Sequence, residues 1–216
     1  MTFAYAFATP ASAHIGVAEG DEMDRIGVRI AYAKNEEIYG QDDEADMIYR
    51  VVSGAVRTSR LTSDGRRQIG AFYGPGDLFG LEMAGRHRFG AEALADSVVT
   101  VVKRSAARRA GGEELERMIW NAAMAELERT QDHLMLLGRK NACERVASFL
   151  LGVAEGHTGP VTDLPMGRQD IADYLGLTIE TVSRMVTQLQ EDRVVEFSGC
   201  RKFRILDRDV LEQMAE

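Results

Sequence analysis

The sequence predicts an α+β chain with three successive kinds of structure. From residue 28 to about residue 104, short runs of β-branched and aromatic residues are separated by glycines, which indicates an antiparallel β-domain. A long amphipathic pattern follows Gly111 and Gly112 and predicts one extended helix. The last third holds two short helical patterns and an alternating hairpin. We therefore expect an arm (residues 1–24), the β-domain (25–111), the long helix (112–140) and a C-terminal helical domain with a hairpin (141–216).

Composition limits the class of protein. The 216 residues are 45% hydrophobic, which is ordinary for a globular chain. The net charge of −8 gives no indication of a polyanionic partner such as DNA. No apolar run is long enough to span a membrane, and the weak apolar start lacks a positive n-region, so we expect a cytoplasmic protein. Two cysteines without a framework indicate a reducing compartment. Metal-ligand spacings and catalytic side-chain sets are not found, so we expect neither a metal centre nor an enzyme.

The β-domain is predicted from several strand-like runs at short intervals, which is typical of a sandwich or barrel. Between two of these runs, Ser63-Asp64-Gly65 predicts a hairpin turn, because Asp-Gly tolerates the positive φ that a tight turn needs. The runs read GVRIAYA, MIYRVVSGAVRTSRLT, RRQIGAFY and SVVTVVKR.

The long helix is predicted from about Glu113 to Leu137, with acidic residues in its first turn as the helix dipole favours. A helix of this length would measure about 37 Å, longer than a small β-domain, so part of it should contact a second copy in a parallel homodimer. Asp132 lies beside the contact line and either tunes self-association through like-charge repulsion or is a plain exposed acid. The contact line, called the seam below, follows heptad steps of four and three residues and consists of Trp120, Met124, Leu127, Gln131 and Leu134.

Two short helices joined at Gly176 are predicted near the C-terminus. The first spans about residues 170–175, and Thr178 is a suitable N-cap for the second. This spacing is that of a helix-turn-helix, whose second helix lies in the major groove of DNA. The alternative is a pair of surface helices in any helical domain. The inward-facing residues of the second helix are expected to be Val182, Met185, Val186 and Leu189.

The opposite face of the second helix is polar. Glu180 and Arg184 lie one turn apart, and Arg pairs with guanine while Glu accepts from the amino group of cytosine. Acidic side chains outnumber basic ones after residue 141, so any DNA contact needs a local basic patch, for which Arg204 is a further candidate. The predicted DNA-binding residues are Arg168, Thr178, Glu180, Thr181, Ser183, Arg184, Thr187, Arg201 and Lys202.

The motif RQDIADYLGLTIETVSR resembles the signature of the Crp/Fnr family of bacterial transcription regulators, and its ETVSR wording resembles the Fnr and FixK branch. The segments NEEIYGQDDEADMIYRVVSGAVR and SDGRRQIGAFYGPGDLFGLE are similar to the family's β-roll sensor domain, which is cyclic-nucleotide-binding-like. The segment QDHLMLLGRKNACERVASFL resembles its dimer helix and hinge. The resemblance implies a homodimer that binds double-stranded DNA through a winged helix-turn-helix, acts as an activator with RNA polymerase, and is linked to microaerobic (low-oxygen) gene control.

The same resemblance implies a TTGA…TCAA palindrome. In that site Arg184 would contact the guanine, Glu180 the cytosine paired with it, and Ser183 would lie near the adjacent thymine methyl group. Arg168 would hold a phosphate.

Effector binding is not expected of the β-roll. Nucleotide-binding members of the family have Gly-Glu-Leu followed by Arg-Ser-Ala, whereas this chain has Gly80-Leu81-Glu82 and then Phe89-Gly90-Ala91. Arg86 and Arg88 are close and could compensate for the missing arginine. Residues 1–30 hold no cysteine for an iron–sulfur cluster. We therefore expect no cofactor; the alternative is a regulator gated by a small molecule or haem in the β-roll.

The hairpin VVEFSGCRKFRILD is expected to be the wing, with Ser198-Gly199 as its turn. Cys200 follows that turn beside Arg201 and Lys202, where an exposed thiol is readily oxidised. Cys200 is thus a possible redox switch, or else an inert turn residue. Cys143 lies on the predicted inner face of the preceding helix with Val146 and is expected to be a core residue.

Overall fold

The computed structural model describes residues 22–82, 85–157 and 159–216. Most of the predicted arm, residues 1–21, lies outside the described residues. The described chain forms two compact units, residues 22–128 and residues 129–216. The division therefore falls inside the long helix, whereas the sequence suggested boundaries at its two ends. Among the described residues, no helix combines the length and apolar character that a bilayer span requires.

The first unit is an antiparallel β-domain. Its strands form two four-stranded sheets in the orders β1-β8-β3-β6 and β2-β7-β4-β5. The predicted turn at Asp64-Gly65 connects β4 to β5, and Gly65 has a φ of 80°. The elements are α1 (Glu22–Ile26), β1 (Val28–Tyr32), β2 (Glu37–Tyr39), β3 (Met47–Ser53), β4 (Val56–Leu61), β5 (Arg67–Tyr73), β6 (Leu78–Phe79), β7 (Gly90–Ala93), β8 (Ser97–Lys103), α2 (Arg104–Ala110) and α3 (Glu113–Arg139).

The core of the β-domain is rich in aromatic residues. The rings of Tyr49 and Phe79 lie 5.1 Å apart, and those of Tyr73 and Phe79 lie 5.3 Å apart. Val56 and Val99 are fully buried in the same cluster. Because successive strand residues point to opposite faces, the alternating apolar positions of these strands fill this core.

Helix α1 corrects one expectation. Residues 22–24 were assigned to the arm, but they form the start of this helix, and Met23 is fully buried. A carboxylate oxygen of Asp24 lies 2.7 Å from the guanidinium of the buried Arg50. The Glu22 carboxylate accepts hydrogen bonds from the backbone N–H groups of Gly112 (2.8 Å) and Leu115 (3.2 Å). The negative charge of Glu22 is favourable at the N-terminus of α3, so this residue of α1 stabilises the start of α3.

The second unit contains the last turns of α3 and the C-terminal helices. Its three-stranded antiparallel sheet has the order β10-β11-β9. Phe149 and Leu150 of α4 are buried with Leu175 of α5 and Phe203 of β11. The elements after α3 are α4 (Ala142–Glu155), β9 (Thr162–Asp163), α5 (Arg168–Leu175), α6 (Ile179–Glu191), β10 (Val195–Ser198), β11 (Lys202–Ile205) and α7 (Arg208–Met214).

Three local expectations in this unit need correction. Cys143 is half-buried, because it lies in the first turn of α4, which Asn141 caps through hydrogen bonds to the backbone N–H groups of Cys143 and Glu144. Met185 is also half-buried rather than part of the buried face of α6. Ser198 pairs with Lys202 across the hairpin, so the wing turn is residues 199–201 rather than Ser198-Gly199.

Candidate nucleic-acid interface

The turn between α5 and α6 has the predicted geometry. Gly176 adopts the left-handed conformation (φ 62°, ψ 37°), and its N–H donates to the carbonyl of Ala172. Glycine suits this position because a left-handed turn is strained for a residue with a Cβ. The side chain of Thr178 accepts a hydrogen bond from the N–H of Thr181 at 3.3 Å, as an N-cap does. Helix α6 therefore begins three residues after Gly176, at Ile179.

Helix α6 has one buried face and one polar face. Val182, Val186 and Leu189 are buried and fix the rotation of the helix about its axis. The hydroxyl of Thr187 donates to the carbonyl of Ser183 at 3.0 Å, so the Thr187 side chain is engaged within the helix. The exposed side chains on the opposite face are Glu180, Ser183, Arg184, Thr187 and Gln188, while Thr181 is half-buried.

Glu180 and Arg184 are the charged groups of this face. Hydrogen bonds from its own backbone N–H and from the Thr178 side chain lower the pKa of Glu180, so its carboxylate is ionised at neutral pH. Arg184 has no hydrogen-bond or ion-pair partner within residues 22–82, 85–157 and 159–216. The Glu180 carboxylate is suited to accept from a cytosine amino group, and the Arg184 guanidinium one turn later is suited to donate to the edge of a guanine.

The other predicted basic residues are engaged within their own unit. The Arg168 guanidinium lies 4.3 Å from the centre of the Phe197 ring, and burial lowers its pKa. The Arg201 guanidinium donates to the carbonyl of Pro165. Lys202 lies 3.4 Å from Asp163, and both side chains are exposed. Exposed ion pairs are weak, so Lys202 can exchange Asp163 for a phosphate.

The wing is linked to α6. The backbone N–H of Phe197 in β10 donates to the side-chain oxygen of Gln190 in α6 at 3.1 Å. The rings of Phe197 and Phe203 stack at 5.4 Å. Cys200 lies exposed in the turn of this hairpin as a free thiol, and its redox role remains a prediction.

The seam residues of α3 are largely exposed. Trp120 is 66% exposed and Leu134 is 70% exposed, and Met124, Leu127 and Gln131 are exposed as well. Asp132 is half-buried. Met135, next to Leu134, is 53% exposed as well. It was not predicted as part of the seam, because the heptad steps select one residue per turn. A row of exposed large apolar side chains is typical of a protein contact surface.

The β-domain segment around Gly80, Leu81 and Glu82 makes internal contacts. Nδ1 of His87 donates to the Glu82 carboxylate at 3.1 Å, and the His87 ring stacks on Tyr39 at 3.7 Å. Burial acts to raise the pKa of Glu82, but hydrogen bonds from His87 and backbone N–H groups lower it overall. Arg104 donates to the carbonyls of Gly80 and Glu82 at 2.6 and 2.9 Å. The sequence alone did not predict these contacts of His87 and Arg104, because they form only in the folded sheet.

Comparison with known proteins agrees with this architecture. A cyclic nucleotide-binding domain model matches residues 29–111, and a Crp-like helix-turn-helix domain model matches residues 144–214. The nitrogen fixation regulation protein FixK of Azorhizobium caulinodans is 45% identical over 98% of this chain and 92% of that protein. FixK of Rhizobium meliloti is 42% identical over 85% of each chain.

A solved structure, that of FixK2 from Bradyrhizobium japonicum, matches with a TM-score of 0.84 and 46% identity, over 88% of this chain and 98% of that one. The similarity thus covers both units and the helix that connects them. These relatives are regulators of transcription rather than enzymes. The chain belongs to the Crp/Fnr family of DNA-binding transcription regulators and is of the FixK type.

Proposed function

We propose that the chain is a homodimeric activator that reads a TTGA…TCAA palindrome through α6. The observation that carries the proposal is that Glu180 and Arg184 lie one turn apart on the exposed polar face of α6, where no described residue bonds or pairs with Arg184. Arg184 contacts the guanine, Glu180 the cytosine paired with it, and Ser183 lies near the adjacent thymine methyl group. Side chains around this face contact the sugar–phosphate backbone and set the register; they are Arg168, Thr178, Thr181, Thr187, Arg201 and Lys202.

The dimer is proposed to form along α3. This helix has 27 residues and a length of about 40 Å, and its exposed seam residues would be buried against a second copy. A twofold dimer presents two α6 helices to half-sites about one turn of DNA apart, which matches a palindrome. The DNA-bound dimer would then recruit RNA polymerase.

The biological role is proposed from the relatives. Two of them are named for the regulation of nitrogen fixation, so we propose control of genes used at low oxygen. In this proposal the β-domain works without an effector, because His87 already binds the Glu82 carboxylate and Arg104 already donates to the backbone carbonyls of Gly80 and Glu82.

The alternative is a regulator whose β-domain binds an effector. A cavity of about 540 Å³ beside Glu82 and Arg104 favours it. Thermal unfolding with cyclic nucleotides, and separately with haem, distinguishes the two. A ligand that binds the folded state raises Tm, since stability increases by RT ln(1 + [L]/Kd). Unchanged Tm at high ligand concentration supports the effector-free proposal, and a dose-dependent rise overturns it.

The main proposal is tested by selecting binding sites with the purified protein. We expect a TTGA…TCAA consensus, protected over both half-sites by a dimer. Sedimentation of the free protein gives its oligomeric state in parallel. A protein that stays monomeric at micromolar concentration and binds palindromic and scrambled duplexes equally would contradict the proposal.

A further inference from the structure

Two helix ends converge on a single guanidinium in the C-terminal unit. Arg145 lies in the second turn of α4 and bonds three carbonyl oxygens. Its Nη2 donates to the carbonyl of Leu137 in the last turn of α3 at 2.8 Å, and its Nε donates to the carbonyl of Lys140, which directly follows α3, at 2.8 Å. Its Nη1 donates to Leu175, the last residue of α5, at 2.9 Å.

The Arg145 guanidinium compensates the negative ends of two helices. The last carbonyls of a helix have no partner inside the helix and carry the negative end of its dipole. An arginine has five N–H donors in a rigid planar fork and a permanent positive charge. One such group between two helix C-termini therefore satisfies backbone acceptors of both and offsets their combined negative potential.

His133 makes a second link between the same two helices. It lies in α3, and its Nε2–H donates to the carbonyl of Tyr174 in α5 at 2.8 Å. The two rings also stack, with centroids 4.1 Å apart and planes at 9°. The last two carbonyls of α5, those of Tyr174 and Leu175, are thus both bound by side chains from outside α5. Gly176 follows at once, and α6 begins three residues later.

We propose that Arg145 and His133 are positioning residues for DNA reading. They hold the end of α5 against the end of α3, and this sets the angle at which α6 leaves the helix that also carries the seam. The proposal rests on the proposed function, in which α6 reads bases and α3 forms the dimer. Two half-sites at a set spacing can be read together when both α6 helices are held at one angle.

The test is the preference for half-site spacing. Wild-type protein is titrated with the selected palindrome and with versions one base pair longer and shorter. Arg145→Lys keeps the charge but replaces the planar fork, whose three nitrogens each bond a different carbonyl, with a single nitrogen. His133→Phe keeps the ring stack and loses the N–H donor. Arg139→Lys, at an exposed position in the last turn of α3, is the matched control. Active fraction is measured by stoichiometric titration and dimerisation by sedimentation.

We expect Arg145→Lys to lose about tenfold in affinity on the preferred spacing, the effect of roughly one charged hydrogen bond. The affinity ratio between spacings should fall in both Arg145→Lys and His133→Phe, while the control matches wild type. If both variants have a lower Tm or active fraction but the same affinity ratio between spacings as wild type, the two residues only stabilise the fold. That result would overturn the proposal. If Arg145→Lys does not fold, His133→Phe decides alone.

Failure of the proposed function gives a different result. In that case wild-type protein itself shows no preference among spacings, and Arg184→Ala binds as wild type does. A wild-type spacing preference that depends on Arg184 but not on Arg145 or His133 rejects only the positioning role.

Discussion

Arg184 carries a charge that the described part of the chain leaves uncompensated, whereas Arg168 faces an aromatic ring and Lys202 faces a carboxylate. Its side chain is exposed, so its removal creates no cavity and leaves no buried group without a hydrogen bond. The effect of substitution should therefore appear in DNA binding and leave the free energy of unfolding nearly unchanged.

Arg184→Ala is expected to weaken binding to the cognate palindrome by about 1–3 kcal/mol and to relax base choice at the contacted position. Fluorescence anisotropy at moderate salt measures both, and thermal unfolding checks that Tm is unchanged. Gln188→Ala, on the same exposed face one turn later, is the matched control. Wild-type affinity and selectivity in Arg184→Ala would mean that the base contact is assigned to the wrong residue.

Cys200 is expected to be the more readily oxidised of the two thiols. It lies exposed in the wing turn, whereas Cys143 is half-buried and its burial raises its pKa. Peroxide should modify Cys200 first and reduce DNA binding, because an oxidised sulfur adds bulk and negative charge beside Arg201 and Lys202. Mass mapping with parallel binding measurements tests this, with Cys200→Ser as the insensitive control. Undiminished binding by fully oxidised protein would rule the switch out.

At the scale of single elements, local signals were enough to predict the helix-turn-helix. The reversal at Gly176 and the cap at Thr178 depend on residues within one turn, so their side chains reveal them. Helix α1 was missed because five residues have little helical preference alone. Its stability comes from Met23 in the core and from Glu22 at the start of α3, some 90 positions later in the chain.

The junction of α3 with α5 could not be predicted for the same reason. His133 and Tyr174 are 41 positions apart, and Arg145 and Leu175 are 30 apart. No periodicity or motif couples them, because their pairing exists only once α4 has packed against α5. The proposed DNA-reading face follows from the sequence of one helix, whereas the contacts that orient that helix depend on the folded unit.

His133 should make the C-terminal unit less stable in mild acid. Burial lowers its pKa, and the nearby Arg145 charge lowers it further, although the hydrogen bond to Tyr174 opposes this. The unfolded chain, with a histidine pKa of about 6.5, therefore takes up the proton first as pH falls. The neutral His133 contributes its full stabilisation at a pH above the unfolded pKa. This contribution is lost as the pH falls from the unfolded pKa toward the lower pKa of the folded state.

Urea unfolding of wild type and His133→Phe between pH 7.5 and 5.5 measures this contribution. We expect the stability of wild type to fall more steeply than that of the variant, which has no titrating group at this position. Equal slopes for the two proteins would show that His133 does not carry the pH dependence.

For the whole molecule, an acidic chain of net charge −8 must bind an acidic polymer. Acidic side chains outnumber basic ones, and Lys202 faces the Asp163 carboxylate, so there is little long-range positive field to attract DNA. Base contacts and two-site binding must then supply much of the affinity. On the proposed palindrome, a monomer with one α6 helix would lack the second half-site contact.

Leu134→Glu is therefore expected to weaken binding to the palindrome by separating the subunits. Leu134 is 70% exposed, so the change costs the monomer little, but in the dimer it places like charges face to face along the seam. Loss of the second half-site should weaken binding on the order of 10²-fold. Leu61→Glu, at a leucine that is 63% exposed at the end of β4, is the matched control and should remain dimeric. Sedimentation and anisotropy measure both variants; a Leu134→Glu protein that sediments as a dimer and binds like wild type would place the subunit contact elsewhere than along α3.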